Sequence, residues 1–193
     1  MSTMSTTNAD SLAQEVARLM WADDRASQAL GMELVEVRAG YARLRMKVRR
    51  DMTNGHGICH GGYMFLLADS TFAFACNSHN QRAVAASAEI HFLAPAHEGD
   101  ELTSEGVEVH VAGRSGVYDM RVTDQKGRMV AVFRGRSATI KGQFIADAHA
   151  GRDDAHAGRD DAQAGRDGAH AAPGGPAAPG GNAQSPHTRR PRA

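Results

Sequence analysis

Between His60 and His79 the apolar side chains Met64, Phe65, Leu66, Leu67, Phe72, Ala73, Phe74 and Ala75 fall on every side of a helical wheel. A helix without a polar face has no stable place on a protein surface, so this segment must be buried nearly all round. The rest of the chain has to supply the cover, and it supplies strands. Ala42, Leu44, Met46 and Val48 alternate with Arg43, Arg45 and Lys47, the period-two pattern of a strand with one wet face. Gly40 marks a hairpin before it. After the helix, Ala83 to Phe92 reads as a strand ended by Pro95, and Glu101 to Val111 alternates Val107, Val109 and Val111 with Glu108 and His110. Gly113 to Gly116 turns into Val117–Thr123, and the turn at Asp124–Gly127 leads into a last strand from Arg128 to Ile140.

An N-terminal helix precedes these elements, spanning about residues 8–30. Leu12, Val16, Leu19 and Met20 recur at helical spacing after the capping types Asp10 and Ser11, and Gly31 ends a second short helical turn. The order is helix, two strands, buried helix, four strands. Consecutive hairpins imply an antiparallel sheet, and such a sheet wrapped around one long buried helix is the α+β architecture called a hotdog.

From Ala146 the composition changes. Three near-copies of one heptad, AHAGRDD, AHAGRDD and AQAGRDG, run from Ala148 to Gly168, and a Pro/Gly tract follows from Ala171 to Gly181. Without large apolar residues the heptads have no seam to pack, so residues 146–193 are expected to be a disordered low-complexity tail beyond a domain at 1–145.

Several function classes are disfavoured. Basic and acidic residues number 22 each, six of each sign falling in the tail, so neither segment has the basic surplus that tracks nucleic-acid phosphates. No stretch approaches the ~20 consecutive apolar residues of a membrane helix, and the first ten residues carry no signal-peptide run. Cys59 and Cys76 are too few for a disulfide framework. A cytoplasmic location, with no nucleic-acid or membrane partner, is the expectation. His56, Cys59 and His60 lie in a glycine-rich loop with no further ligand at metal spacing, and His149, His156 and His170 belong to the tail, so no metal is expected.

Asp69 is the residue that needs a reason. It lies among Leu66, Leu67, Ala68, Phe72 and Ala73, where an ionised carboxylate is costly to desolvate unless it has partners or water. Ser70 and Thr71 could satisfy it locally. Upstream, His60-Gly61-Gly62 opens the helix, where backbone N–H groups and the positive end of the helix dipole suit a developing oxyanion. Taken alone, the two glycines would merely permit a tight turn. Eight residues at ~1.5 Å rise put Gly61 and Asp69 roughly 12 Å apart, too far to serve one carbonyl within a chain. If both act on the same bond, the carboxylate comes from a neighbouring subunit with an antiparallel helix, which implies a two-fold dimer.

In these residues the chain resembles the phenylacetate-degradation (PaaI-type) thioesterases of the hotdog superfamily. The resemblance runs from about Asn8 to Ile140 and is densest in NGHGICHGGYMFLLADSTFAFACNS, FLAPAHEGDELT and GRSGVYDMRV. Asn54, His60-Gly61-Gly62 and Asp69 carry its most specific spacing. The resemblance implies hydrolysis of phenylacetyl-CoA, hydroxyphenylacetyl-CoA or a related aromatic acyl-CoA, with no cofactor beyond the CoA of the substrate. It implies that the Gly61 N–H polarises the thioester carbonyl and that Asp69 is the nucleophile or the general base. Asn54 and His60 would organise the carbonyl-binding loop, and Ser87 would help to hold the attacking water. Arg114, Ser115 and Gly116, in the turn between two strands, resemble the CoA-contacting turn, although an ordinary solvated hairpin reads the same way. A homo-oligomer, a dimer or a tetramer built from dimers, belongs to the same expectation. Two alternatives stand beside it: a hotdog enoyl-CoA hydratase using Asp51 and His56, and a non-hydrolytic acyl-CoA-binding module.

Overall fold

The computed structural model describes the backbone of residues 3–145 and the side chains of residues 8–145. The expected low-complexity tail from residue 146 lies outside the described residues. The chain opens with α1 (Thr3–Asp23) and α2 (Arg25–Ala29), followed by β1 (Glu33–Arg38) and β2 (Tyr41–Lys47). The central helix α3 (Gly61–Asn77) comes next, then β3 (Ala83–Phe92), β4 (Glu101–Ala112), β5 (Ser115–Thr123) and β6 (Met129–Thr139). The N-terminal helical region is thus two helices, because Asp24 breaks the first and caps the second, its carboxylate accepting from the Ser27 N–H at 3.1 Å.

The six strands form one sheet in the order β1-β2-β4-β5-β6-β3, and every neighbouring pair is antiparallel. The sheet wraps α3, which is the hotdog architecture. Hairpins join β1 to β2, β4 to β5 and β5 to β6, whereas α3 is inserted between β2 and β4 and leaves β3 as the far edge strand. Gly40 turns the first hairpin in the left-handed region at φ +70°, where a side chain would also meet the Glu108 Cβ at 3.0 Å.

Both ends of α3 are fixed by side chains. At the C-terminal end Asn77 donates to the Ala73 and Ala83 carbonyls and accepts from the Ala83 N–H at 2.8 Å, which launches β3. Ser78 donates to the Ala75 carbonyl and accepts from the Gly40 N–H, both at 2.8 Å, tying the helix to the β1–β2 hairpin.

The core lies between α3 and the inner face of the sheet. Leu44 and Met46 of β2, Leu102 of β4, Tyr118, Met120 and Val122 of β5 and Phe133 of β6 close over Leu67, Ala68, Phe72 and Ala75. Phe72 packs edge-on to Tyr118 at 5.6 Å between ring centroids, and Phe65 meets Phe133 in the same way at 5.4 Å. Gly135 lets Phe72 approach, since a Cβ there would lie 2.9 Å from the ring. In β4 the inner face is Leu102, Ser104 and Gly106, so Val107 points outward opposite Asp119. Glu108, next on the inner face, stands opposite Tyr118, whose hydroxyl donates to the Glu108 carboxylate at 3.0 Å, and a bulge at Val109 follows.

The cover over α3 is incomplete within one chain. Gly62 is exposed and Leu66, Asp69 and Ala73 are half-buried, and these positions are one stripe of the helix. The expectation of burial nearly all round is therefore corrected for a single chain. Phe72→Ala is expected to cost about 3–5 kcal/mol. Urea unfolding at fixed protein concentration checks this, and a lower midpoint with an unchanged slope is the expected result.

Candidate active site

The loop that delivers the chain to α3 is held by its own backbone. The Asn54 N–H donates to the Ile58 carbonyl at 2.8 Å, and the Asn54 carbonyl accepts from the Gly57 N–H at 2.9 Å. The Asn54 side-chain oxygen accepts from the His56 N–H at 2.9 Å, an Asx turn that closes the loop tip. Cys59 and His60 then anchor it, their N–H groups donating to the Ala96 and Met52 carbonyls, both at 2.8 Å.

At the start of α3 the three successive backbone donors have different fates. His60 N–H is consumed by Met52, and Gly62 N–H donates to the Nδ1 of His60, which caps the helix at 3.0 Å. That bond leaves Nε2 as the nitrogen carrying the proton in the neutral imidazole. Gly61 N–H, between them, has no acceptor among the described residues. It is an open donor at the positive end of a 17-residue helix. A Cβ at 61 would lie 2.8 Å from the tip of the Phe92 ring, which lies across this helix tip from β3, so any side chain there would push that ring aside. Phe92 is a site neighbour that sequence reasoning misses. Its alternation with the other residues of β3 is the available signal, but only the register brings it to Gly61.

Two turns further along, Asp69 lines a cleft of about 670 Å³ together with Leu66, Ala73, Phe74, Met20 and Phe144. It has no hydrogen-bond or ion-pair partner among the described residues, and burial alone pushes its carboxyl above the usual carboxylate range. The neighbours that could have satisfied it are engaged elsewhere. Thr71 donates to the Leu67 carbonyl at 2.8 Å, and Ser70 shares a 2.8 Å hydrogen bond with Ser27. The local explanation for a carboxylate at this position therefore fails. A partly desolvated, unpartnered carboxylate at a cleft can take a proton from water or attack an electrophilic carbon.

The other candidates are distributed differently. Gly61 and Asp69 lie on the same helix, roughly 12 Å apart at its ~1.5 Å rise per residue, so one chain does not bring them together. Ser87 is exposed on β3, opposite Arg136 and directly after a bulge at Ala86, and makes no hydrogen bond to Asp69 within the chain. Of the expected CoA-contacting turn, Arg114 alone is in the turn. Ser115 and Gly116 are the first residues of β5, a correction to their expected place, because the hairpin closes on the pair Ala112–Ser115. The Ser115 hydroxyl donates to the Ser137 carbonyl at 3.1 Å, and the Gly116 N–H donates to the Ser137 hydroxyl at 3.1 Å. Arg114 donates one N–H to the Thr139 carbonyl at 2.8 Å and is otherwise exposed.

The pair that would serve a hydratase is arranged for something else. Asp51 is clamped by Arg49 at 3.0 and 3.1 Å, which holds its carboxyl below the usual range, and His56 is exposed at the loop tip. Cys59 is buried, and burial pushes its thiol up to about 11, far from a thiolate nucleophile at neutral pH. Among the described residues no group of three or more His, Cys, Asp or Glu side chains could hold a metal ion, and no helix is long and apolar enough to cross a membrane.

Comparison with known proteins identifies the family. Residues 56–131, from the loop tip through the first residues of β6, match the thioesterase superfamily. The chain is 41% identical over 132 residues to the acyl-coenzyme A thioesterase PaaI of Escherichia coli K12, covering 68% of this chain and 94% of that protein. The structure of E. coli PaaI, a protein of the phenylacetic acid degradation operon, superposes with a TM-score of 0.69 over 70% of this chain and 98% of that one. PaaI of Thermus thermophilus, solved as a point mutant, is 33% identical with a TM-score of 0.59, covering 61% of this chain and 100% of that one. A thioesterase protein of Streptococcus pneumoniae TIGR4 solved with coenzyme A is 29% identical, with a TM-score of 0.56 over 58% of this chain and 90% of that one. With that identity across nearly the whole length of a relative, on the same fold, the chain belongs to the PaaI-type thioesterases of the thioesterase superfamily.

Proposed function

We propose that this enzyme hydrolyses acyl-CoA thioesters, with arylacetyl-CoA such as phenylacetyl-CoA or hydroxyphenylacetyl-CoA as the preferred class, at sites shared between two subunits. The observation that carries the reading is Asp69: a carboxylate without a partner among the described residues, raised by burial, on the uncovered stripe of the central helix. The substrate class draws support from the phenylacetic acid degradation operon of E. coli PaaI and from the apolar side chains Met20, Leu66, Phe74 and Phe144 that share the cleft with Asp69.

The assembly follows from what one chain leaves open. The stripe Gly62, Leu66, Asp69 and Ala73 needs cover, and β3 presents a ten-residue free edge with Val84 and Phe92 exposed, and Leu93 exposed just beyond it, a surface that invites strand pairing. A second copy related by a two-fold axis covers both at once, because antiparallel pairing of two β3 edges sets the two α3 helices side by side and antiparallel. Asp69 of one subunit then approaches Gly61 of the other. The Gly61 N–H, the one open donor at the helix tip, stabilises the negative charge that develops on the thioester oxygen. Asp69 deprotonates a water held by Ser87, and the water oxygen adds to the carbonyl carbon and expels CoA as the thiolate. Alternatively, Asp69 itself attacks that carbon, expelling the thiolate and forming a mixed anhydride that water then hydrolyses. Asn54 and His60 keep the loop and the helix start rigid around that donor. Arg114 offers its remaining N–H groups to the phosphates of CoA, with Ser115 and Gly116 fixing the hairpin from which it projects. No cofactor enters. The outer sheet face, where Tyr41, Val107 and Val132 lie among Glu89, Glu105, Asp119, Arg121 and Arg134, is where two dimers join into a tetramer.

Asp69→Asn is expected to lower turnover on phenylacetyl-CoA by ~10² to 10⁴, the range for a lost, positioned base, with the fold and acyl-CoA binding retained. Thiol release followed with a colorimetric reagent measures this. Turnover near wild type would reject the assignment, and a wild type that binds acyl-CoA without releasing thiol would leave a binding module instead. Mixing Asp69→Ala subunits with Gly61→Val subunits, each inactive alone, is expected to restore one intact site per heterodimer. Absence of recovery after demonstrated subunit exchange would refute the shared site.

The raised Asp69 pKa also fixes two pH dependences. Since the deprotonated form is the active one, turnover declines as pH falls through the raised value, and the acid limb lies above that of an ordinary carboxylate. For stability the sign is opposite. The folded protein holds this proton more tightly than the unfolded chain, so the contribution of Asp69 is fully present below its unfolded pKa and is lost as pH rises through the folded value. Asp69→Asn should therefore have a higher Tm than wild type at about pH 8, with the difference vanishing towards about pH 4. Thermal melts across that range provide the check.

A further inference from the structure

The chain does not leave the fold where β6 ends. Ile140 N–H donates to the Arg82 carbonyl at 2.8 Å, and Arg82 N–H donates to the Gly142 carbonyl at 3.3 Å. The Gln81 side-chain amide donates to the carbonyls of Ile140 and Gly142 at 3.0 and 3.4 Å. The Asn80 side-chain oxygen accepts from the N–H groups of both Phe144 and Ile145, at 3.0 and 3.2 Å. Asn80 is also the one non-glycine residue with positive φ among the described residues, at +58°, a conformation that asparagine tolerates better than most. Residues 140–145 are thus strapped across the three residues that precede β3.

The strap delivers one side chain to the reaction site. Phe144 is half-buried, with its ring centroid 4.4 Å from the Arg82 guanidinium carbon, and it lines the cleft that Asp69 lines. A thioester carbon placed for attack must lie within ~3.5 Å of the reacting oxygen, so the acyl carbons next to it contact whatever surrounds Asp69. Here the apolar part of that surface is Met20, Leu66, Phe74 and Phe144, while Asp23, Asp24 and Arg82 line the same cleft.

We propose that Phe144 is a specificity-determining residue: its ring, fixed by the Asn80 and Gln81 strap, closes the acyl end of the cleft so that compact arylacetyl groups fit and long alkyl chains are excluded. This rests on the thioesterase reading above. The flat face of Phe144 offers an aryl group an offset or edge-on partner, whereas a long chain would have to displace a ring that the strap holds in place.

The test is thiol release by the full-length protein from phenylacetyl-CoA and from straight-chain acyl-CoAs of increasing length, for wild type, Phe144→Ala, Phe144→Leu and Asn80→Gly. Asn80→Gly keeps the backbone conformation and removes the amide that holds the strap. Opening the cleft should raise kcat/KM for decanoyl-CoA and longer substrates relative to phenylacetyl-CoA by at least about tenfold, the scale on which apolar pockets discriminate. The change should appear mainly in KM and in the order Phe144→Ala above Phe144→Leu, with Asn80→Gly moving in the same direction. Thermal melts establish that each variant is folded. Folded variants whose chain-length profile is unchanged, or lowered equally for every substrate, would overturn the role of Phe144 while leaving the thioesterase intact. A folded wild type that releases no thiol from any acyl-CoA would overturn the thioesterase reading and this proposal with it.

Discussion

Everything in the structure is arranged around keeping water away from α3. Its 17 residues include Met64, Leu67, Phe72 and Phe74 on different sides, so no single packed layer can cover it. A curved sheet can, and the close fit is visible at Gly106 and Gly135, where an added Cβ would lie 3.0 Å from Met120, 3.1 Å from Thr71 and 2.9 Å from Phe72, inside van der Waals contact. The helix cannot slide within this sleeve. His60 caps one end, and Asn77 and Ser78 bind the other to β3 and to the β1–β2 hairpin. A helix held at both ends places Gly61 and Asp69 at fixed positions, which is the precondition for any chemistry that depends on their geometry.

The same constraint explains why the site and the assembly are one problem. The sleeve leaves a stripe of α3 and the edge of β3 uncovered, and the stripe contains the one carboxylate of the helix. A carboxylate there opposes stability, because part of its hydration is removed and no donor among the described residues replaces it. Ser70 and Thr71 could have supplied such donors but bond to Ser27 and to the Leu67 carbonyl instead. The charge is left reactive. A two-fold partner, as proposed, shields the stripe, completes the strand edge and brings an open helix N-terminus opposite the acid, so one symmetric contact serves burial, pairing and chemistry together.

Much of this is readable from residue pattern. The all-round apolar run locates α3 to within two residues, and the period-two segments locate the strands, because burial on one face imposes a periodicity that needs no knowledge of the partner strand. Asp69 stands out for the same reason, as a charge breaking an apolar run. What pattern cannot supply is anything set by register or by bulges. Phe92 reaches Gly61 only because β3 pairs with β6 so that Phe92 stands beside Ala131. The outward turn of Val107 depends on which residues of β4 face α3, which alternation alone leaves ambiguous. Ser115 and Gly116 read as turn residues because their types are turn types, yet two further pairs, Val111–Gly116 and Ala112–Ser115, form before the hairpin turns. Phe144 follows the last alternating segment, in a stretch with no period at all, and only the side chains of Asn80 and Gln81 reveal where it goes.

That contrast bears on how such an enzyme acquires its substrate range. Residues within α3 are tied to the sleeve on most sides, so a change there alters the core as well as the cleft. The strap is different: it is a short extension held mainly by hydrogen bonds to three residues, and only Phe144 of it lines the cleft. Its side chain can vary in size without disturbing Phe72, Tyr118 or the helix caps. With Phe144 as the proposed wall of the acyl cleft, a segment outside the sheet separates the selection of substrate from the stability of the fold, while Asp69 and Gly61 stay where the helix puts them.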